Sequence, residues 1–198
     1  MARPVWNHNT HYQRLILRAL PSPCHHALDV GCGVGMLTRQ LSDQAEAVTG
    51  IDRHGHSIAE ARAQNNAPNI TYLLDDFMTH PFELGSFDAI TSVAALHHMP
   101  VREALGRMRI LLRPGGTLAL VEIAQSRLPR DIVYEGMGAV AHRLHKITKE
   151  HRQHPSPVLE PTMSYAEIRA VIEEELPGAH YRRLVLWRYA VVWQKPSS

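Results

Sequence analysis

The chain has 198 residues, enough for one domain with a full core, and its 44% hydrophobic and 20% charged residues match an ordinary globular protein. A formal net charge of +2 marks neither a general nucleic-acid binder nor a membrane-surface protein. No apolar run approaches the ~20 residues of a membrane span, Met1 to Trp6 lack a secretion-signal core, and Cys24 and Cys32 are too few for a disulfide framework, so a single-domain cytoplasmic protein is expected.

Residues 9–20 are expected to form a helix, with Tyr12, Leu15, Ile16 and Leu20 as its apolar stripe and Pro21 and Pro23 ending it. Ala27 to Val30 then has the pattern of a buried strand. It runs into Gly31-Cys32-Gly33-Val34-Gly35, and a helix follows over about 35–43. A glycine-rich turn between a strand and a helix lets backbone approach a ligand where a Cβ would collide, and aims free N–H groups at it. The dinucleotide fingerprint Gly-x-Gly-x-x-Gly/Ala fails in both registers, because Met36 or Thr38 stands at the third position. The pattern is Asp29-x-Gly31-x-Gly33-x-Gly35, whose acid would repel a pyrophosphate and suit a ligand carrying an ammonium.

A second strand, Ala47 to Ile51, ends at Asp52, about 20 residues beyond the glycine turn. A carboxylate there matches a vicinal diol such as a ribose. His54-Gly55-His56-Ser57 opens a helix to about Asn66, and Asn69 to Leu74 forms a third strand before Asp75-Asp76-Phe77. Phe87 to Val93 is the fourth strand, followed by Ala94-Ala95-Leu96-His97-His98-Met99-Pro100 and a helix from Val101 to about Leu112. Leu112-Arg113-Pro114-Gly115-Gly116 should turn tightly into a fifth strand, Thr117 to Glu122. Such alternation predicts a doubly wound parallel sheet.

Residues 126–163 have the character of an insertion. From Asp131 to Glu150, Val133, Met137, Val140, Leu144 and Ile147 recur at helical spacing, with His142, His145 and Lys149 on the other face. No Cys or carboxylate joins His142 and His145 in a recognisable ligand set, so no metal is expected. Ser164-Tyr165-Ala166-Glu167 is a capping box with a Met163/Ile168 staple, opening a helix to about Leu176 that Pro177-Gly178 stops. Tyr181 to Leu186 and Tyr189 to Gln194 complete the chain as strands.

Taken in order, Asp29 to Gly35, Asp52, Asp76, Leu96 to His98 and Leu112 to Gly116 resemble the landmarks of the class I S-adenosylmethionine-dependent methyltransferases, over residues 9–195. The resemblance implies a Rossmann-like, seven-stranded, mostly parallel sheet with an antiparallel last strand and helices on both faces. It also implies S-adenosylmethionine as cofactor and S-adenosylhomocysteine as product. By the same likeness Asp29, Gly31, Cys32, Gly33 and Gly35 form the cofactor turn, with Val93 and Ala94 at the end of strand four. Asp52 would hold the ribose, Asp76 the adenine amino group, and the Phe77 backbone a ring nitrogen. Arg53 stands where the family places an apolar residue, and its guanidinium would stack on adenine instead. The N-terminal helix would cover the cofactor, with Tyr12 touching the methionine carboxylate.

His97 and His98 follow the strand-four edge where the methyl should emerge. His98 holds the commonly histidine, structural position, which leaves His97 as candidate base. No Asn-Pro-Pro-Tyr-like tetrapeptide follows strand four. The insertion would act as a lid whose first half, around Tyr134 and Met137 with Gly136 and Gly138, walls the acceptor pocket. In-line methyl transfer to an O, N or C nucleophile of a small-molecule acceptor is therefore expected, with no nucleic-acid or membrane partner. A cofactor-binding protein without catalysis, and a dinucleotide-dependent oxidoreductase, are the alternatives.

Overall fold

The computed structural model describes residues 5–6, 12–127, 129, 131, 143, 150–151 and 160–197. Seven strands form one sheet: β1 (His26–Val30), β2 (Ala47–Asp52), β3 (Ile70–Leu74), β4 (Phe87–Val93), β5 (Leu112–Glu122), β6 (His180–Leu184) and β7 (Arg188–Gln194). Their order is 3-2-1-4-5-7-6. Strands β3, β2, β1, β4 and β5 are mutually parallel. The last strand, β7, is inserted antiparallel between β5 and β6. The expected mostly parallel sheet with an antiparallel last strand is therefore present.

Alternation along the central strands sorts side chains to two cores. Ala27, Ala89, Ala119 and Ala190 face one side and pack with Ile16 of helix α1 (Gln13–Ala19) and with Leu37 and Leu41 of α2 (Met36–Leu41). Leu28, Ile90, Leu118, Leu120 and Val191 face the other, where Leu105 and Met108 of α4 (Val101–Leu111) and Ile168 and Ile172 of α5 (Tyr165–Glu175) cover them. Between these pairs in sequence, α3 (Gly55–Gln64) packs Ile58 and Ala61 against Tyr72 of β3. The central parallel strands β1, β2 and β4 are buried on both faces, as the middle of a doubly wound sheet requires.

Several boundaries differ from the sequence pattern. The tight turn at Leu112 to Gly116 is absorbed into β5: Phe87 pairs with Leu112, the register shifts, and the regular ladder resumes at Ala89 with Thr117. Gly115, at φ 76°, makes the bend that permits this. The helix expected from Asp131 to Glu150 reaches neither end: Asp131 lies in a turn, and Glu150 and His151 form a short parallel strand pair with Val5 and Trp6. Its apolar stripe, and Tyr134 and Met137 with it, lie outside the described residues. The capping box is formed as expected, with Ser164 Oγ accepting from the Glu167 N–H and the Glu167 side chain accepting from the Ser164 N–H at 2.8 Å. Among the described residues no helix is long and apolar enough to cross a membrane.

Candidate active site

The carboxyl ends of β1, β2 and β4 meet around the glycine turn. Gly31, Gly33 and Gly35 all have left-handed backbones, at φ 69°, 54° and 79°. A Cβ at Gly31 would overlap that of Ala95, and one at Gly35 would overlap the Tyr72 hydroxyl. At Gly33 it would meet nothing within 4 Å. The space beside Gly33 belongs to the cleft, which suits a ligand lying on the turn. The Gly31 and Cys32 N–H groups both donate to the Ile51 carbonyl, at 2.9 and 3.1 Å, and dock the turn on β2.

Asp52, at the end of β2, completes this joint. Its Oδ2 accepts from the Gly33 N–H at 2.9 Å, and its Oδ1 accepts from the His54 N–H at 2.8 Å and lies 3.0 Å from His54 Nδ1. Two backbone donors thus fix the carboxylate's orientation. A diol held by both oxygens would replace the His54 ring contact and use the remaining acceptor site on Oδ2.

Below the turn, Asp29 is 2% exposed and accepts hydrogen bonds from the Thr38 hydroxyl at 2.7 Å and the Thr91 hydroxyl at 3.1 Å. Burial pushes its carboxyl up to about 6, against those two hydroxyls, and the Asp52 charge adds to the rise. Burial also raises the Cys32 thiol well above its usual range, helped by Asp29 and Asp52, so this cysteine stays a neutral thiol.

Two cavities of about 340 and 150 Å³ share Gly31, Asp52, His54, Ala95 and His98 as a common wall, and form two lobes of one cleft. Arg53, Asp76 and Phe77 line the larger lobe. Asp76 Oδ1 accepts from the Met78 N–H at 2.8 Å, and Arg107 Nε donates to the Phe77 carbonyl at 2.7 Å, so both are held by local bonds. Asp29, Cys32, Gly33, Val93 and Ala94 line the smaller lobe, which ends beneath α1. Ala94 sits at φ 53°, strained for a residue with a Cβ, while its N–H donates to the Val121 carbonyl at 3.0 Å.

The Tyr12 hydroxyl donates to the Val185 carbonyl at 2.9 Å, and the neighbouring Gln13 lines the smaller lobe. Gln13 Oε1 accepts from Gln40 Nε2 at 2.7 Å, which fixes the amide and leaves its NH₂ as the donor end. The two histidines line different cavities. His98 lines both lobes, and burial, then the charges of His97 and Arg53, lower its pKa and hold it neutral. His97, its ring centroid 4.0 Å from that of His98, lines a third cavity of about 160 Å³ with Ile123, Met163, Ile168 and Tyr189.

Gln13 and His54 line the cleft and Glu122 lies behind it, and the sequence pattern singled out none of them for the site. Glu122 is fully buried, and its Oε1 accepts from the Ser92 hydroxyl at 2.8 Å and the Ala95 N–H at 3.1 Å. An acid at the carboxyl end of a central parallel strand was the signal available for it. Among the described residues no group of His, Cys, Asp or Glu is arranged to hold a metal ion.

Known proteins are similar to this chain in sequence and in fold. A family model described as a methyltransferase domain matches residues 28–120. An uncharacterised methyltransferase of Mycobacterium tuberculosis is 36% identical over 194 residues, covering 96% of this chain and 98% of that one. A ubiquinone biosynthesis O-methyltransferase of Coxiella burnetii is 31% identical over 166 residues, covering 80% and 68%. Among solved structures, the N-methyltransferase NodS of Bradyrhizobium japonicum with S-adenosylhomocysteine superposes with a TM-score of 0.64 at 16% identity, covering 94% and 87%.

Proposed function

The chain belongs to the class I S-adenosylmethionine-dependent methyltransferases, and from that premise we propose that it methylates a hydroxyl of a small, largely apolar molecule. The observation that carries the cofactor's placement is the Gly33–Asp52 hydrogen bond at 2.9 Å, which joins the turn and the acid across one cleft. In this reading Asp52 holds the ribose, and Asp76 and Phe77 meet the adenine with Arg53 over its face. Asp29, Gly31, Cys32, Gly33, Gly35, Val93 and Ala94 surround the methionine portion. Gln13 donates to the methionine carboxylate in place of Tyr12.

Bound there, S-adenosylmethionine supplies a methyl group on a cationic sulfur, already activated for displacement. The protein therefore has little to do beyond positioning, which can supply much of the barrier lowering. A hydroxyl acceptor must also lose its proton, and a placed base contributes roughly 10²–10⁴-fold. His97 is the base in this proposal. The third cavity, about 160 Å³ and walled by Ile123, Met163 and Ile168, supports a small apolar acceptor. The similarity to a ubiquinone biosynthesis O-methyltransferase favours oxygen over nitrogen or carbon. Tyr134 and Met137 remain proposed as acceptor-pocket residues, and a cytoplasmic setting suits the free Cys24 and Cys32.

The test is release of S-adenosylhomocysteine with a panel of small phenols, amines and carbon acids. Turnover with phenolic members is expected. Release only with protein or nucleic-acid substrates would contradict the proposal, and cofactor binding without any release would favour the non-catalytic alternative.

A further inference from the structure

Arg107, on α4, holds the loop after β3 by two carbonyls and one ring. Its Nε donates to the Phe77 carbonyl at 2.7 Å, its Nη2 donates to the His80 carbonyl, and its guanidinium carbon lies 5.5 Å from the centre of the Phe77 ring. The peptide group whose oxygen takes Nε has the Met78 N–H at its other end, and that N–H donates to Asp76 Oδ1 at 2.8 Å. A cation on the carbonyl polarises the amide, so its N–H becomes a stronger donor. Guanidinium, peptide and carboxylate thus form one chain of two hydrogen bonds that ends on Asp76. Asp76 Oδ2 has no hydrogen-bond partner among the described residues, and neither has the Phe77 N–H. Asp76 and Phe77 both line the larger lobe.

We propose that Arg107 is a positioning residue for the methyl donor. Through the Phe77–Met78 peptide it fixes Asp76 with Oδ2 open to the adenine amino group, and so makes the site select an amino over an oxo group at that ring position. This role rests on the reading above in which Asp76 and Phe77 meet the adenine, and it gives that contact its supporting residue. Asp76 is exposed, so packing does not choose its rotamer; the bond from Met78 does. A carboxylate free to turn would lose much of its preference, because water can bridge it to either ring substituent. Held in place, Oδ2 accepts from an amino N–H and repels the lone pairs of a carbonyl oxygen. Other bonds run within the loop and shape its turn. The Thr79 and His80 N–H groups donate to the Asp76 carbonyl at 3.1 and 2.9 Å, and His80 Nδ1 lies 2.7 Å from Asp75 Oδ2. Arg107 ties that turn to α4, the helix that follows the His97–His98 turn.

The test compares S-adenosylhomocysteine with S-inosylhomocysteine, in which a carbonyl oxygen replaces the amino group. Calorimetry on the wild type should show the inosine analogue bound at least tenfold more weakly, the scale of a hydrogen bond to a charged group. Arg107→Met keeps an apolar stem beside Phe77 and removes both donors. Arg107→Lys keeps a cation able to reach the His80 carbonyl and has a methylene where Nε stands. In both variants S-adenosylhomocysteine should weaken to within about threefold of the analogue, whose own affinity should be unchanged. A merely structural role would weaken both ligands together and leave their ratio as it was. The wild-type ratio in either variant that keeps a cooperative thermal transition would therefore overturn the role of Arg107. Failure of the underlying reading shows separately. Equal affinities for the two ligands in the wild type would remove Asp76 from the adenine, and the proposal with it. Discrimination that disappears in Asp76→Ala and persists in both Arg107 variants would overturn Arg107 alone.

Discussion

The Gly33 N–H donates to Asp52 Oδ2 at 2.9 Å, so the centre of the β1 turn and the acid ending β2 are set relative to each other before any ligand arrives. One bond thus couples the two landmarks recognisable from sequence. It also means that the three glycines of the turn serve different purposes.

Alanine at each glycine should separate those purposes. Gly31→Ala and Gly35→Ala drive a Cβ into Ala95 and Tyr72, so both should lower the melting temperature sharply. Gly33→Ala has open space and costs only the left-handed backbone, roughly 1–2 kcal/mol. It should fold and yet bind S-adenosylhomocysteine weakly, because the methyl group enters the cleft. Thermal denaturation with calorimetry checks this, and normal affinity in the folded Gly33→Ala protein would contradict it.

At the methionine end, Tyr12→Phe removes one bond to the Val185 carbonyl and should cost about 1 kcal/mol of stability while leaving cofactor affinity within about twofold. Gln13→Leu should weaken S-adenosylmethionine about tenfold, the scale of a hydrogen bond to a charged carboxylate. The reverse pattern in calorimetry would return the carboxylate to Tyr12.

Asp29 predicts a pH dependence with a definite sign. Its carboxyl, ordinarily near 3.8, is raised to about 6 by burial in the folded protein. A raised acid contributes stability below its unfolded value, and this is lost as pH rises through about 6. A ligand ammonium favours the ionised form, so affinity should change the other way. S-adenosylhomocysteine should bind about tenfold more tightly at pH 7.5 than at pH 5, with proton release. In Asp29→Asn that dependence should be absent, and a wild type with equal affinity at both pH values would show that Asp29 does not meet the ammonium.

The sheet, the glycine turn, Asp52 and the α5 capping box were legible because each is local: a period, a spacing or a box of four residues. Other features depend on contacts distant in sequence. Nothing near Tyr12 indicates that Val185, 173 residues away, takes its hydroxyl and leaves Gln13 for the cleft. Likewise, Leu186 and Trp187 turn the final hairpin at φ 59° and 55° without a glycine to announce it, because tertiary packing there outweighs local preference. That His97 and His98, adjacent in a short 3₁₀ turn, line different cavities was not legible, because the direction each ring takes depends on the packing around that turn.

The central claim, that this cleft binds the methyl donor through the paired turn and acid, is tested most directly by titrating S-adenosylhomocysteine calorimetrically into the wild type and Asp52→Ala. One site per chain is expected in the wild type. The variant should lose at least tenfold in affinity, as expected for a charge-assisted contact worth about 1.5–3 kcal/mol. Equal affinity in the two proteins would remove Asp52 from the site, and a wild type that binds a nicotinamide dinucleotide but not S-adenosylhomocysteine would contradict the account outright.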